Sequence, residues 1–226
     1  MLICVSIIKM SIFMDRKKDM QTYNTIKQYG EGEIVEKKSR FLGKIEKVET
    51  EEEALEFIER IKKQYWDARH NCFAYIIGKK GETVRCSDDG EPSGTAGKPM
   101  LEVLQNQQLC NVVAVVTRYF GGVLLGTGGL VRAYTQATQE ALKEAEVCTM
   151  TPMTVITVQT DYNAIGKIKY VLAQEEIPVL NEEYAADVVV TMAVPFTEKE
   201  RMVKKIIEVT NGKAVMEEKE QIFMAL

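Results

Sequence analysis

The segment from Val112 to Glu146 constrains this chain most. Val112 to Val116 is a continuous β-branched run of the kind a central strand shows. Arg118-Tyr119-Phe120 ends it, and Gly121, Gly122, Gly126, Gly128 and Gly129 then crowd a short loop. A helix starts near Gly129 and runs to Glu146, with Leu130, Ala133, Tyr134, Ala137, Ala141 and Ala145 on one face. The small alanines let this helix lie close to a sheet. Glycines at a strand-to-helix turn let backbone N–H groups converge on an anion, and a helix N-terminus favours negative charge further. Arg132 is placed in the first turn, where the dipole alone disfavours a cation, so it should face an anion or a carboxylate. The candidate anion or nucleic-acid site is therefore Gly121, Gly122, Gly126, Gly128 and Gly129 with Arg118 and Arg132 as phosphate clamps. Lys98 joins it as an adaptable point charge, and His70 is included. The glycines equally permit tight turns and close packing, with Arg132 paired to an acid, and both readings stand at this point.

Upstream, Glu33 to Val48 reads as two short strands. Thr50-Glu51-Glu52-Glu53 is a capping box opening a helix with Ala54, Ile58, Ile61 and Tyr65 on its apolar stripe. Cys72 to Ile77 and Thr83 to Cys86 form a hairpin around Gly78-Lys79-Lys80-Gly81. Asp88 to Gly97 is a long loop in which Asp88, Asp89 and Glu91 are read as turn formers, and Met100 to Leu109 is a short helix. After Thr149 to Pro152 the pattern restarts. Thr154 to Thr160 is a strand, Asp161 caps a helix with Ile165, Ile168 and Leu172, and Val179 to Tyr184 and Asp187 to Val194 are strands. Thr197-Glu198-Lys199-Glu200 opens a helix ending at Asn211-Gly212 before a last strand. The order βαββαβ is the ferredoxin-like plan. The expected fold is α+β in two domains, 20–148 and 152–226. Residues 1–19 are a leader or mis-called start, expected to be disordered. Their apolar run, Leu2 to Ile8, is too short to span a bilayer and lacks signal-peptide flanks, so no membrane association is expected.

Composition excludes several classes. The five cysteines are an odd number without a C-x-x-C pair, and there is one histidine, so neither a disulfide framework nor a metal site is signalled and a cytoplasmic setting is expected. The net charge of −4 lies in residues 151–226, which hold eight Lys/Arg against twelve Asp/Glu. Any grip on nucleic acid must use a local patch. Gly126 to Val131 has Val131 where the third dinucleotide-fingerprint glycine belongs. Ala96-Gly97-Lys98-Pro99 has Pro99 where a P-loop needs Ser or Thr. No cofactor is expected. Ser93 or Cys72 with His70 and Asp88 or Asp89 supplies triad residue types without triad spacing, so no catalytic residues are assigned.

Three blocks carry a resemblance: His70 to Tyr75, Ser87 to Leu101, and Val116 to Tyr134. Together they resemble the IMPACT family, in its bacterial YigZ/YvyE branch, over about residues 21 to 226. The resemblance implies a first domain folded like the second domain of ribosomal protein S5, as an α/β sandwich. It implies a ferredoxin-like second domain similar to one in the translocation factor EF-G. It also implies a link to translation, since eukaryotic relatives restrain the amino-acid-starvation kinase by competing for its coactivator. This chain departs from them by carrying the ferredoxin-like domain and no extra N-terminal partner-binding domain.

The leading expectation is a non-enzymatic module that binds RNA, the ribosome or a translation-associated protein and regulates translation. An enzyme or sensor for a small phosphorylated ligand at the Gly121 to Gly129 loop, and a pure protein adaptor, are the alternatives. The second domain is expected to support protein contacts, because its central strands lack aromatics for base stacking. Oligomeric state is left open.

Overall fold

The computed structural model describes residues 21–225. The leader reading of residues 1–19 lies outside them. The chain divides into two compact units, one of Tyr23–Met150 and one containing Thr151–Met224. Among the described residues no helix is long and apolar enough to cross a membrane.

In the first unit the elements are β1 (Tyr23–Ile26), β2 (Gly30–Glu36), β3 (Ser39–Lys47), α1 (Glu51–Gln64), β4 (His70–Ile77) and β5 (Thr83–Ser87). Then come α2 (Gly97–Asn106), β6 (Val112–Tyr119) and α3 (Thr127–Ala145). The sheet order is β2-β3-β6-β4-β5, with antiparallel neighbours throughout. Helix α1 starts where its capping box places it. The Thr50 hydroxyl accepts from the Glu53 N–H at 3.2 Å, and the Glu53 carboxylate accepts from the Glu49 N–H at 2.6 Å. Its buried residues Ala54, Phe57, Ile58 and Ile61 pack on Tyr75, Val113 and Val115. Tyr65 is the C-cap and, half-buried, packs against the same cluster, continuing the stripe.

Side chains alternate across a strand, so Val112, Ala114 and Val116 face the other way, toward α3 and α2. Helices on both faces explain why β6 is buried from Val112 to Arg118 and why its sequence is apolar without alternation. The alanine face of α3 meets glycines on the sheet. Gly32 and Gly43 are register partners in β2 and β3. A Cβ on Gly43 would lie 2.3 Å from the Ala137 carbonyl oxygen, and one on Gly32 would lie 2.7 Å from the Ala141 nitrogen.

The second unit contains the end of β7 (Val147–Thr160), α4 (Ile165–Gln174), β8 (Val179–Tyr184), β9 (Val188–Pro195), α5 (Lys199–Val209) and β10 (Val215–Ala225). Strand β7 pairs β1 over Val147–Met150 in the first unit and β9 over Met153–Thr160 here. The order β10-β7-β9-β8 is the ferredoxin-like sheet. Ile168, Leu172, Met202 and Ile206 of the two helices close over Ile156, Val158, Val190 and Met192. The Asp161 carboxylate accepts from the Asn163 and Ala164 N–H groups, both at 2.9 Å, and so shapes the turn into α4. The box at Thr197 does not form. A 3₁₀ turn, Phe196–Glu198, leads into α5, so Thr197 lies within a helical turn instead of ahead of one. Ion pairs to Arg201 and Lys205 draw the half-buried Glu175 carboxyl down to about 2.

The glycine floor under α3 yields a direct test. Gly43→Ala should force the helix off the sheet at a cost of about 1–3 kcal/mol, or a Tm lower by roughly 2–10 °C for a chain of this size. An unchanged Tm in thermal melts would show that the close approach is not needed.

Candidate functional site

Because its pairs are antiparallel, one end of the sheet gathers five chain segments. The Lys37-Lys38 turn between β2 and β3 lies there, as do the approach to β4 at Arg69, the loop after β5, the N-terminus of α2 and the glycine loop after β6. The glycine loop is seated on the turn. A Cβ on Gly121 would meet the Lys38 backbone at 2.0 Å, and the Gly121 N–H donates to the Ser39 hydroxyl at 3.1 Å. Gly122 and Gly126 take φ of +83° and +72°. At Gly128 a Cβ would meet nothing within 4 Å, and at Gly129 it would meet the side chain of Leu125.

Helix α3 begins at Thr127, two residues earlier than the sequence indicates, with Gly126 as a cap that offers no side-chain hydrogen bond. Arg132 is therefore its sixth residue, beyond the first turn to which the dipole argument applies. It is exposed, and among the described residues no acidic side chain pairs with it. The cation in a first turn is Lys98, since α2 begins at Gly97 rather than Met100. Lys98 is exposed as well.

Arg118 is the arginine that holds an acid. Its side chain is 7% exposed and that of Glu91 4%, and Nη1 donates to Glu91 Oε1 at 2.6 Å. The Tyr134 hydroxyl donates to the same oxygen at 2.9 Å, and burial raises the Tyr134 pKa, so it stays a donor. Arg118 is thus no free phosphate clamp, because burial requires its charge to be paired. Glu91, read from sequence as a turn former, is its partner. The guanidinium lies over the rings of Phe41 and Phe120, at 5.4 and 5.6 Å, and its Nε is buried with no hydrogen-bond partner.

The neighbouring acids are committed to backbone. Asp88 Oδ1 accepts from the Ala96 and Gly97 N–H groups at 2.9 and 2.8 Å, and Oδ2 accepts from Gly94 at 2.8 Å, which caps α2 from a distant loop position. Burial acts to raise the Asp88 pKa, but these three donors outweigh it and hold the carboxyl below its usual range. Asp89 Oδ2 accepts from the Asn71 N–H at 2.6 Å. His70 Nδ1 lies 2.7 Å from the Asp89 carbonyl oxygen, which can only accept, so Nδ1 carries a proton, and in the neutral ring the lone pair is on Nε2. The Cys72 thiol donates to the Asp88 carbonyl and burial pushes its pKa up, which suits a packed thiol and not a nucleophile. Ser93 is exposed on the same loop.

These groups surround a cavity of about 350 Å³ lined by Arg69, His70, Glu91, Arg118, Phe120, Leu124, Thr127 and Leu130, among others. Of the sequence-derived candidates it brings together His70, Arg118 and Gly126. Gly121, Gly122, Gly128, Gly129, Arg132 and Lys98 lie outside the lining. Sequence reasoning missed Glu91 as an ion-pair partner, and it missed Arg69, Phe120 and Leu124. The signal available for the last two was an exposed apolar pair in a glycine loop, 45% and 83% accessible.

The arrangement defines a two-unit α+β protein whose first unit carries a cavity at the rim of an antiparallel sheet, with a ferredoxin-like second unit. Residues 37–142 match the Impact N-terminal domain, and residues 158–213 match a domain of unknown function (DUF1949). IMPACT family member YvyE of Bacillus subtilis (strain 168) is 43% identical over 205 residues, covering 91% of this chain and 94% of that protein. IMPACT family member YigZ of Escherichia coli (strain K12) is 38% identical over 178 residues, covering 78% and 87%. A solved structure titled as the crystal structure of a hypothetical protein superposes with a TM-score of 0.57 at 34% identity, covering 89% of this chain and 98% of that one. The chain belongs to the IMPACT family.

The depressed Asp88 value sets a pH test. A carboxyl lowered by folding contributes stability that is present above its unfolded value of about 3.9 and is lost as pH falls through the folded value. Wild type should therefore exceed Asp88→Asn in urea stability near neutrality, with the gap closing below about pH 4. A gap that persists to the lowest pH would mean that the carboxylate charge is not what caps α2.

Proposed function

We propose that the first unit is a non-catalytic RNA-binding module through which the protein acts on translation. One observation carries this reading. Lys37, Lys38, Arg69 and Lys98 are exposed at the cavity end of the sheet and Arg132 is exposed in the second turn of α3, and among the described residues none has an acidic side chain within salt-bridge distance. The acids of the same end are occupied. Asp88 and Asp89 hold backbone and Glu91 holds Arg118, which leaves Glu36 and Asp67, the latter accepting from the Tyr119 hydroxyl, as the exposed counterweights. An acidic chain thereby presents a local basic rim, with the N-terminus of α3, which has no side-chain cap, adding partial positive charge.

Family membership supports the reading at the level of a shared role. The second unit is not its carrier, since the paired central strands β7 and β9 hold no aromatic side chain.

Fluorescence anisotropy with a labelled single-stranded RNA across a salt series tests it. Wild-type affinity should fall steeply with salt, and the slope should shrink by roughly 0.7 for each phosphate contact removed. Arg132→Ala should weaken binding by about 1–3 kcal/mol without moving Tm. Lys37→Ala/Lys38→Ala should act in the same direction. Absent or salt-indifferent binding would overturn the proposal.

A further inference from the structure

The basic rim suits phosphates but leaves the cavity beside it unused. We propose that the cavity receives one unstacked nucleotide of a single-stranded RNA, an inference that rests on the RNA reading above and names the form of RNA this site selects.

The cavity, about 350 Å³, falls within the roughly 300–1,000 Å³ of small-molecule sites. Much of its wall is apolar: Pro92, Phe120, Leu124, Leu125 and Leu130. Phosphate alone gains nothing from such a wall, whereas a flat base does. Phe120 stands 45% exposed on the glycine loop and presents a ring to the opening, the arrangement on which bases stack.

The polar groups at the base of the cavity are incompletely used. Glu91 Oε1 takes both the Arg118 and the Tyr134 hydrogen bond, which leaves Oε2 for another donor. Arg118 Nε–H is buried and unpartnered although its side chain is more than nine-tenths covered. Buried donors are nearly always satisfied, so an orphan of this kind in a cavity wall calls for a partner from outside the chain. An acceptor beside a donor complements the Watson–Crick edge of any base, which gives sequence-tolerant binding. A base stacked on Phe120, whose ring lies 5.6 Å from the Arg118 guanidinium, would bring the missing acceptor toward this N–H.

His70 faces the same space with its Nδ1–H fixed on the Asp89 carbonyl, so Nε2 is oriented to hydrogen-bond a ribose hydroxyl, which can donate or accept. At the mouth lie Arg69 and the uncapped first turn of α3 at Gly126 and Thr127, where the flanking phosphates would run. A base paired within a duplex cannot enter, because its edge and both faces are occupied.

The test compares a labelled 12-nucleotide single strand of mixed sequence with the duplex of the same length, using the full chain at one salt concentration. The single strand should bind at least 10-fold more tightly. Phe120→Ala, on an exposed loop, should cost roughly 5- to 100-fold on the single strand and leave duplex binding unchanged. Glu91→Gln should weaken the single strand too; if it unfolds, Phe120→Ala still decides. A free nucleoside monophosphate should compete only at high concentration. Equal affinity for single strand and duplex, or a Phe120→Ala protein that binds the single strand normally, would overturn the cavity inference while the RNA reading stands. Failure to bind either RNA would overturn both.

Discussion

Everything at the functional end of the first unit hangs on a carboxylate taken out of water. Glu91, on the loop after β5, meets Arg118 at the end of β6 and Tyr134 inside α3, so one side chain ties together three segments distant in sequence. The charge is tolerable in a buried site because both partners converge on it; removing either would leave an uncompensated group. Three residues earlier Asp88 does the complementary work, spanning the same loop to hold the first amides of α2. Charged hydrogen bonds pin this loop, and its two acids tie it to two helices and to β6.

The packing beneath serves the same end. Gly32 and Gly43 let α3 settle on β2 and β3 at backbone distance, and Gly121 lets the strand-to-helix loop close on the Lys37-Lys38 turn. These contacts bring the α3 N-terminus to the rim where β4 and β6 end. Antiparallel pairing then places turn, loop and helix termini together, and the acids that could neutralise the rim are drawn inward to structural bonds. The rim is locally basic because Lys37, Lys38, Arg69, Lys98 and Arg132 are exposed against Glu36 and Asp67, on a chain with no overall excess of lysine and arginine.

Much of this fold was legible because its signals are local. The β-branched run at Val112 to Val116, the capping box at Thr50 and the alanine face of α3 each depend on neighbours within a few residues, and the βαββαβ order follows from summing such signals. The site was legible only in part. Both arginines were identified, but which of them pairs with an acid depends on Glu91, 27 residues from Arg118 and brought to it only by the tertiary fold. Helix starts at Gly97 and Thr127 were misplaced because Asp88 caps α2 from afar and Gly126 caps α3 without a side chain. That exchanged the roles expected of Lys98 and Arg132. Thr197 shows the converse, a good local motif overridden by the 3₁₀ turn through which the chain enters α5.

Whether the rim and cavity form one RNA-binding surface is best decided by ultraviolet cross-linking of the full chain to single-stranded RNA, with the attachment sites read by mass spectrometry. Cross-links should fall on Phe120 and on peptides containing Lys37-Lys38 and Arg69. Cross-links confined to residues 151–226, or spread evenly over the surface, would contradict the account.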